Sequence, residues 1–378
     1  MRLKSPFVAV AAMFFLNGAF YGAWASRIPT IKSGFDLSPD ALGLLLLLLA
    51  GGAIISFPVA GRMIDRFGAA RVTHVVAIGY AISLAAIGIS PSLTALAIFL
   101  FVFGVTHGAM DVAMNAWGTE VEKRLDLPIL PQLHAVFSFG AGAGALFGAL
   151  AITAELTVFW HFFIFSILAS LPCFYLASIG WVSDVAASSG DGKVFALPSG
   201  SLLLVGVIAF CGSLGEGAMV DWSAVYLVET VQATESLAAI GFTVFSIAMV
   251  VTRLSGTFLI KRLGNALTGR LSGIFAFSGL IVAVIAPNAR VVLCGYALMG
   301  LGYALIVPLA FSRAANDPNQ SPGTAIASVA TLGYGGLLLG PPIIGFIAAR
   351  SSYEMSFSFL AVLALGIILL APAFRQSE

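Results

Sequence analysis

Charged residues are scarce in this chain of 378 residues. Asp, Glu, Lys and Arg together make up 9% of the sequence, whereas hydrophobic residues make up 60% and the mean hydropathy is +1.03. Soluble domains carry about 25% charged residues. Because so few charges could not cover the surface of a globule of this size, the composition excludes an ordinary soluble domain and predicts a protein embedded in a lipid bilayer.

Other features are also missing from the sequence. The net charge is +1, which does not favour a nucleic-acid partner. The three cysteines, Cys173, Cys211 and Cys294, lie within apolar runs and form neither a disulfide framework nor a metal site. No G-x-x-x-x-G-K-[ST] motif or catalytic Ser/His/Asp constellation is present. The sequence therefore indicates neither an ATP-driven protein nor an enzyme, and we expect no cofactor and no bound metal.

Long apolar runs are abundant. A membrane-spanning helix needs about 20 apolar residues, and twelve segments reach this length. They are rich in Gly, Ala and Leu and lack the alternation of strands, so we predict an all-α membrane protein with twelve transmembrane helices. The predicted spans are residues 6–26, 41–60, 72–90, 93–117, 131–153, 157–180, 199–220, 236–258, 266–286, 290–312, 323–349 and 355–374.

The distribution of basic residues predicts the orientation of these helices. An even number of spans places both termini on one side, and most Lys and Arg residues fall in loops and flanks on that same side. Because cytoplasmic loops carry the excess of Lys and Arg, both termini are predicted to be cytoplasmic. This assignment places Arg253 and Arg313 in cytoplasmic flanks and Arg27 on the outer side.

The chain divides into two halves that resemble each other. Residues 181–198 form a polar linker rich in Ser and Gly, which separates an N-terminal six-helix half (1–180) from a C-terminal one (199–378). GRMIDRFG from Gly61 resembles GTFLIKRLG from Gly256, and two further segment pairs repeat at a similar spacing. We therefore predict two parallel six-helix repeats.

Three polar residues in the fourth span indicate a functional site. His107, Asp111 and Asn115 follow each other at intervals of four, so they lie near one face of a helix. A carboxylate at the centre of a membrane helix costs about 2.5–3.5 kcal/mol and normally faces a bundle interior or a water-filled cavity. We predict that Asp111 accepts and releases a proton during function, and the alternative is a structural ion pair with a basic residue.

The seventh span carries further acids. Glu216 is predicted as a second proton-coupling carboxylate, near the outer end of the span. Asp221 is expected at the outer interface beside Trp222, which would act as an interfacial aromatic anchor.

Amide and aromatic side chains supply the candidate ligands of a small polar solute. Amides in apolar helices require hydrogen-bond partners, which a solute or a neighbouring helix can provide, and aromatic rings stack on flat or sugar-like faces. For each aromatic residue the alternative is simple packing. The candidate substrate-binding residues are Asn17, Tyr21, Trp24, His107, Asn115, Trp222, Tyr303 and Tyr334.

Small residues repeat at helical spacing in two spans. Gly140, Gly144 and Gly148 form one stripe, and Gly336 and Gly340 form another. Because small residues allow close helix approach, we expect these stripes to form the seam on which the two halves move.

The segment from Gly61 to Arg71, GRMIDRFGAAR, resembles the loop signature of the major facilitator superfamily (G-x-L-x-D-R-x-G-R-R). This resemblance implies two six-helix halves that alternate in access to a site near the bilayer midplane. It also implies a conformational gate at the cytoplasmic face, in which the loop charges cluster with Glu120 or Glu122. The predicted gate residues are Gly61, Asp65, Arg66, Gly68, Arg71 and Glu120.

A finer resemblance is to the fucose-permease-like branch of that superfamily, and within it to the YbjJ/MosC type. It is carried by SRIPTIK from Ser26, DLSPDALG from Asp36, DVAMN from Asp111 and EGAMVDWSAVYL from Glu216. In that branch an acid-x-x-x-Asn pattern in the fourth helix is linked to proton-coupled sugar uptake. The resemblance implies this role for Asp111 and Asn115.

Together these observations predict a monomeric secondary transporter of the bacterial inner membrane. We expect it to import a small sugar- or polyol-like solute by proton symport, with the solute, protons and the lipid bilayer as its partners. One alternative is proton-coupled efflux of a drug or amphiphilic metabolite, against which the absence of proline in the fifth span counts. The other is a non-transporting membrane sensor, which would be expected to carry an added soluble domain.

Overall fold

The computed structural model describes residues 4–183 and 197–375. The secondary structure of these residues consists of helices joined by short turns. Within these described ranges, twelve helical segments are long and apolar enough to cross a membrane. The predicted all-α fold with twelve spans is therefore confirmed.

The first six spans are single uninterrupted helices. Their bounds are α1 Pro6–Gly34, α2 Pro39–Phe67, α3 Ala69–Ile87, α4 Leu93–Leu125, α5 Leu130–Thr153 and α6 Val158–Ala177. Ser5, Ser92 and Thr157 cap α1, α4 and α6 by accepting a hydrogen bond from a backbone N–H of the first turn.

The last six spans contain one broken helix. Their bounds are α7 Ser201–Glu229, α8 Glu235–Leu263, α9 Asn265–Ile285, α10 Ala289–Tyr303, α11 Ile306–Ala315, α12 Pro322–Arg350, α13 Tyr353–Leu370 and a final 3₁₀ turn, Ala371–Phe374. The tenth span comprises α10 and α11. The break precedes Pro308, whose ring lacks an N–H and clashes with the carbonyl four residues earlier.

Several helices extend well beyond the predicted apolar spans. We predicted that the fourth span ends at residue 117 and the seventh at residue 220, but α4 continues to Leu125 and α7 to Glu229. Hydropathy marks where apolar residues stop, whereas a helix continues as long as its backbone hydrogen bonds are made. Glu216 consequently lies about 20 Å from the end of α7 at 1.5 Å per residue, deeper than predicted.

Large apolar side chains cover the outside of the helices. Ile82, Leu171 and Leu369 expose 64%, 66% and 69% of their surface, and they are three of many such residues. Contiguous apolar surface of this extent is unfavourable in water but matches a lipid environment. The exposed surface therefore agrees with the composition in placing the chain in a bilayer.

The same backbone step recurs in the two halves. Gly68 precedes α3 with φ +83°, and Gly264 precedes α9 with φ +78°. Both lie in a region of backbone space that is essentially restricted to glycine. These are the glycines that end the two similar segments, so the repeat in the sequence corresponds to a repeated turn in the structure.

The glycine stripes pack inside each half, and the prediction that they form a seam between the halves is wrong. A Cβ added at Gly140 or Gly144 of α5 would overlap backbone carbonyls of α1. A Cβ added at Gly336 of α12 would overlap the Phe210 carbonyl of α7. Periodicity correctly identified close helix contact, but it does not specify which neighbouring helix makes that contact.

The contacts group the helices into two compact units. One unit holds α1, α3 to α6, α2 from Leu45 onward and the start of α8 up to Ser246. The other holds α7, α9 to α13, α8 from Ile247 onward and Ser38–Leu44 at the start of α2. Residues 184–196 of the predicted linker lie outside the described residues, so the domain boundaries at 181 and 198 stay a prediction.

Hydrogen bonds explain why the start of α8 belongs to the first unit. Thr30 of α1 donates to the Glu235 carboxylate. The Thr153 and Ser236 hydroxyls lie 2.9 Å apart, and Thr243 donates to the Gly142 carbonyl at 3.1 Å. These side chains therefore attach the first part of α8 to α1 and α5.

An ion pair between Arg313 and Asp317 anchors one end of the second unit. Arg313 Nη1 lies 3.1 Å from Asp317 Oδ2, and Arg313 Nε donates to the Arg375 carbonyl at 3.1 Å. Ser201 donates to the same carboxylate, and so does the backbone N–H of Asn319. The cluster joins α7, α11 and the end of the chain. Arg313 is therefore a buried structural residue rather than the exposed flanking charge that we predicted.

We expect the Arg313–Asp317 cluster to make the protein acid-labile. The Asn319 N–H, with Ser201 and Arg313, lowers the pKa of Asp317 below its ordinary value. A lowered folded-state pKa stabilises the protein above the unfolded value of about 3.9, and this contribution is lost as the pH falls through the folded value. The melting temperature of purified protein should drop in this acidic range.

The variant Asp317→Asn tests this expectation. It should melt lower than the wild type at neutral pH and show a smaller further decrease on acidification. The control Asp36→Asn changes an exposed carboxylate at a positive-φ position that asparagine tolerates, and it should follow the wild-type curve. If the melting temperatures of the wild type and Asp317→Asn fall by the same amount on acidification, the prediction is wrong.

Candidate functional site

The structure brings two of the predicted binding residues, Asn17 and Tyr21, into contact with a third, His107. His107 Nδ1 lies 2.9 Å from Asn17 Oδ1, and its ring stacks on Tyr21 with centroids 4.5 Å apart and planes at 12°. Tyr80 of α3, which the sequence did not single out, places its hydroxyl 3.0 Å from the same nitrogen. The cluster therefore joins α1, α3 and α4 through one imidazole.

The orientation of the Asn17 amide indicates which nitrogen of His107 carries the proton. Asn17 Nδ2 donates to the Met114 sulfur at 3.4 Å, and a thioether can only accept. The amide oxygen of Asn17 consequently faces His107, so His107 Nδ1 donates to it. In the neutral ring Nε2 is then an acceptor, and it has no hydrogen-bond partner among the described residues.

One turn further along α4, Asp111 and Asn115 form a local pair. Asn115 Nδ2 donates to the Asp111 backbone carbonyl at 2.9 Å and to Asp111 Oδ1 at 3.2 Å. Both side chains are partly exposed, and no basic residue among the described ones pairs with Asp111. The structure therefore does not show the alternative that we considered for Asp111, a structural ion pair with a basic residue.

The polar groups of α4 share one chemical character. His107 Nε2, the second oxygen of Asp111 and the Asn115 amide oxygen are all acceptors without a protein donor in the described part of the chain. They follow one another along a single helix face. Such a face suits a solute that offers several hydroxyl or amine donors.

The other predicted aromatic residues are mostly buried. Trp24 and Trp222 are fully buried, and neither indole N–H has a partner in the described chain. Tyr303 is 2% exposed and lies against Gly215, whereas Tyr334 is partly exposed. Packing explains most of the contacts of Trp24, Trp222 and Tyr303, and the binding roles of all four residues stay predictions.

Glu216 is held by an ion pair that the sequence did not predict. Arg253 Nη2 of α8 lies 3.1 Å from Glu216 Oε1, with the two side chains 11% and 26% exposed. We placed Arg253 in a cytoplasmic flank, but it lies about 15 Å before the end of α8 at 1.5 Å per residue. An arginine inside an apolar helix is itself a signal of a buried partner, and this signal could have identified the pair.

Asp221 and Trp222 are buried inside the second unit, so the prediction that Trp222 is an exposed interfacial anchor is wrong. Every residue from Gly217 to Leu227 of α7 is buried, and the Trp222 ring packs beside Tyr353 with centroids 6.1 Å apart. The predicted seventh span ended at residue 220, just before Asp221, whereas α7 continues to Glu229.

Arg27 is also buried rather than exposed in an outer loop. It is 3% exposed, and its Nε donates to His161 Nδ1 at 3.1 Å. Its Nη2 donates to the Leu156 carbonyl at 2.7 Å. The orientation of the termini, which used Arg27 as an outer charge, remains a prediction.

The predicted gate residues do not form a charge cluster in this conformation. Asp65, Arg66 and Arg71 are exposed and make no ion pair with any described residue. Arg66 lies over the Phe67 ring, and Gly61 faces open space. Gly68 lies against Ser183. A gating role for these residues stays a prediction.

Glu120 binds an indole instead of an arginine. Trp181 Nε1 donates to Glu120 Oε2 at 2.7 Å, and the Arg124 guanidinium lies 4.0 Å from the centroid of the Trp181 ring. The other acid considered, Glu122, accepts hydrogen bonds from the Ile129 and Leu130 N–H groups at the start of α5. The first residues of the linker therefore lie against the end of α4.

Comparison with known proteins identifies the family of this chain. Residues 9–338 match the family profile described as Major Facilitator Superfamily. The chain is 42% identical to the uncharacterized transporter y4wD of Sinorhizobium fredii, over 99% of this chain and 100% of that protein. It is 31% identical to the membrane protein MosC of Rhizobium meliloti, over 97% of this chain and 88% of that protein.

Solved structures share the fold at low sequence identity. The nucleoside transporter NupG superposes with a TM-score of 0.74 and 14% identity, covering all of both chains. The Fucose:proton symporter FucP of E. coli superposes with a TM-score of 0.65 and 16% identity, also covering all of both chains. With twelve spans and a polar cluster on α1, α3 and α4, the chain is a transporter that belongs to the major facilitator superfamily.

Proposed function

We propose that this protein is a proton symporter of the bacterial inner membrane that imports a small sugar- or polyol-like solute by alternating access. It acts as a monomer. Asp111 carries the coupling proton. The solute binds to the polar face of α4 together with Asn17 and Tyr21 of α1.

The acceptor face formed by His107, Asp111 and Asn115 carries this proposal. A polyhydroxylated solute can donate a hydroxyl to each acceptor, and the stacked rings of Tyr21 and His107 offer a flat surface to its carbon skeleton. A lipophilic cation needs no such row of acceptors. The site chemistry therefore supports a polar solute over an amphiphilic drug.

The functions of the structural neighbours support the same class. One neighbour is a nucleoside transporter and another is a fucose:proton symporter, and both solutes carry several hydroxyl groups. Their sequence identity to this chain is too low to transfer the substrate itself.

Asp111 is suited to coupling because its charge has no fixed cationic partner in the described chain. In one conformation the carboxylate takes up a proton, and in the other it releases the proton to the cytoplasm. Its bond from Asn115 holds one oxygen in place while the other oxygen remains available. Solute hydroxyls and the proton would then bind at adjacent positions on α4.

The proposal predicts which compounds stabilise the purified protein. A ligand that binds only the folded state raises its stability by about 2.7 kcal/mol at 100 times its dissociation constant. We expect a rise in melting temperature with members of a panel of sugars, polyols, inositols and nucleosides, measured at mildly acidic and at neutral pH. The affinity of the binding compound should depend on pH in the wild type and not in Asp111→Asn.

The same panel contains the outcome that would contradict the proposal. Lipophilic cations are included beside the polar compounds. If only these cations raise the melting temperature, the protein is an exporter of amphiphilic compounds and the symporter proposal is wrong.

A further inference from the structure

Helix α7 contains a buried carboxylate without any partner. Asp221 is 6% exposed, and it makes no hydrogen bond or ion pair with any described residue. Asp317, the other buried aspartate of the described chain, is held by Arg313, Ser201 and the Asn319 N–H. Asp221 therefore differs from every comparably buried acid in the described part of the chain.

The surroundings of Asp221 leave its carboxylate little contact with solvent. All residues from Gly217 to Leu227 are buried, and Asp221 itself is 6% exposed. The neighbouring Trp222 Nε1 and Ser223 Oγ are buried polar atoms that also lack a partner in the described chain. This is a largely apolar region in which an ionised Asp221 has no compensating charge among the described residues.

No cation of the adjacent helices pairs with Asp221. Helix α7 packs against α10, α11, α12 and α13, and it contacts α8 through the Glu216–Arg253 ion pair. The charged and phenolic residues of these five helices are Arg290, Tyr296, Tyr303, Arg313, Tyr334, Arg350, Tyr353 and Glu354 of α10 to α13, and Glu235, Arg253, Lys261 and Arg262 of α8. None of them is within hydrogen-bonding or ion-pairing distance of Asp221. Arg313 is paired with Asp317, and the Tyr296 hydroxyl donates to the Ser223 carbonyl.

We propose that Asp221 holds a proton in this conformation and is the second proton-carrying acid of the transport cycle, while Glu216 stays ionised opposite Arg253. The neutral acid is the only form of Asp221 that needs neither water nor a cation nearby. This inference rests on the proposed proton coupling and replaces Glu216 with Asp221 as the partner of Asp111.

Infrared spectroscopy of the purified protein at neutral pH, without any solute, tests the proposal. A protonated carboxylic acid has a carbonyl stretch that a carboxylate lacks. The difference spectrum between wild type and Asp221→Asn should show the loss of such a band. The difference spectrum between wild type and Glu216→Gln should instead show the loss of carboxylate bands.

Two results would overturn the inference. One is a carboxylate band rather than an acid band in the Asp221→Asn difference spectrum. The other concerns the wild type in two salts. If the acid band is present in a salt of a large organic cation but disappears in sodium chloride, Asp221 binds a metal cation instead of a proton.

Melting temperatures provide an independent readout. At neutral pH Asp221→Asn should have the same melting temperature as the wild type because an amide replaces a neutral acid of the same shape. Glu216→Gln should have a lower melting temperature because Arg253 loses its carboxylate partner. A decrease for Asp221→Asn as large as that for Glu216→Gln would contradict the proposal. If Asp221→Asn does not fold, Asp221→Glu serves as the second variant. It keeps a carboxylic acid at this position, so the carbonyl band of the protonated acid should shift in frequency rather than disappear.

The two proposals can fail separately. If uptake of the panel compounds proves independent of the proton gradient while the acid band is present, symport is wrong and the protonation of Asp221 stands. If uptake is proton-driven and the acid band is absent, the symporter stands and Asp221 is not its second proton carrier.

Discussion

Replacing Asp111 with asparagine is expected to abolish proton-driven accumulation of the solute while leaving the folded protein and its binding site intact. Asparagine matches the shape of aspartate and keeps an oxygen that can accept from Asn115. It cannot take up a proton at this oxygen during the cycle. The variant should therefore equilibrate the solute across the membrane without concentrating it.

Stability should not fall in Asp111→Asn. The substitution removes a carboxylate whose placement near the centre of a membrane helix costs about 2.5–3.5 kcal/mol when it is charged. It gives up at most part of one hydrogen bond, worth about 0.5–1.5 kcal/mol. The melting temperature of the variant should equal or exceed that of the wild type.

The measurement compares two assays in proteoliposomes with the compound that the stabilisation panel identifies. Uptake against a concentration gradient, driven by an imposed pH difference, should be lost in Asp111→Asn. Counterflow, in which internal unlabelled solute exchanges for external labelled solute, should persist because it requires only binding and alternating access. Asp126→Asn removes an exposed carboxylate at the end of the same helix and should behave as wild type in both assays.

Glu216→Gln distinguishes a coupling acid from a structural one. Arg253 would lose its carboxylate partner, and a hydrogen bond to a charged group contributes about 1.5–3 kcal/mol. We expect a lower melting temperature together with retained proton dependence of whatever transport remains. If Asp111→Asn still accumulates the solute and Glu216→Gln does not, the assignment of Asp111 as the coupling acid is wrong.

The polar site on α4 was predictable from spacing, but its partners were not. The interval of four residues places His107, Asp111 and Asn115 along one face of any helix. The contact between His107 and Asn17 joins two helices that are far apart in sequence, and residue spacing within one helix carries no information about it. Tyr80 was missed because a single tyrosine in an apolar span has the same sequence pattern as a packed aromatic residue.

Buried arginines were the largest error in the sequence interpretation. Arg27 and Arg253 were assigned to the flanks of spans because hydropathy falls wherever a charge occurs. Both instead lie inside helices, Arg27 donating to His161 and Arg253 paired with Glu216. A charge within a helical segment has two physical solutions, exposure to water or burial with a partner, and composition does not distinguish them.

The glycines between α1 and α5 show which part of the fold tolerates least change. Gly18 and Gly22 of α1 face backbone carbonyls of α5, and Gly140 and Gly144 of α5 face backbone carbonyls of α1. Contact of backbone with backbone leaves no flexible side chain that could move aside. The two helices can pack at this distance only while all four positions lack a side chain.

Gly22→Ala is therefore expected to cause a severe loss of folded protein. The new Cβ would overlap the Ala141 carbonyl oxygen and lie 3.0 Å from the Ala141 Cα, so α1 and α5 would have to separate along their contact. Overpacking costs about 1–3 kcal/mol in interiors that can relax, and here the obstacle is rigid backbone. We expect a cost at or above the upper end of that range.

The experiment measures the monodisperse fraction and the melting temperature of detergent-solubilised protein by fluorescence-detected size exclusion. Gly51→Ala is the matched control because Gly51 lies inside α2 with nothing within 4 Å of an added Cβ. Alanine is favoured over glycine inside a helix by about 0.5–1 kcal/mol, so the control should melt at or slightly above the wild-type temperature. If Gly22→Ala melts at the same temperature as Gly51→Ala, α1 and α5 are not in the close backbone contact that the structure shows.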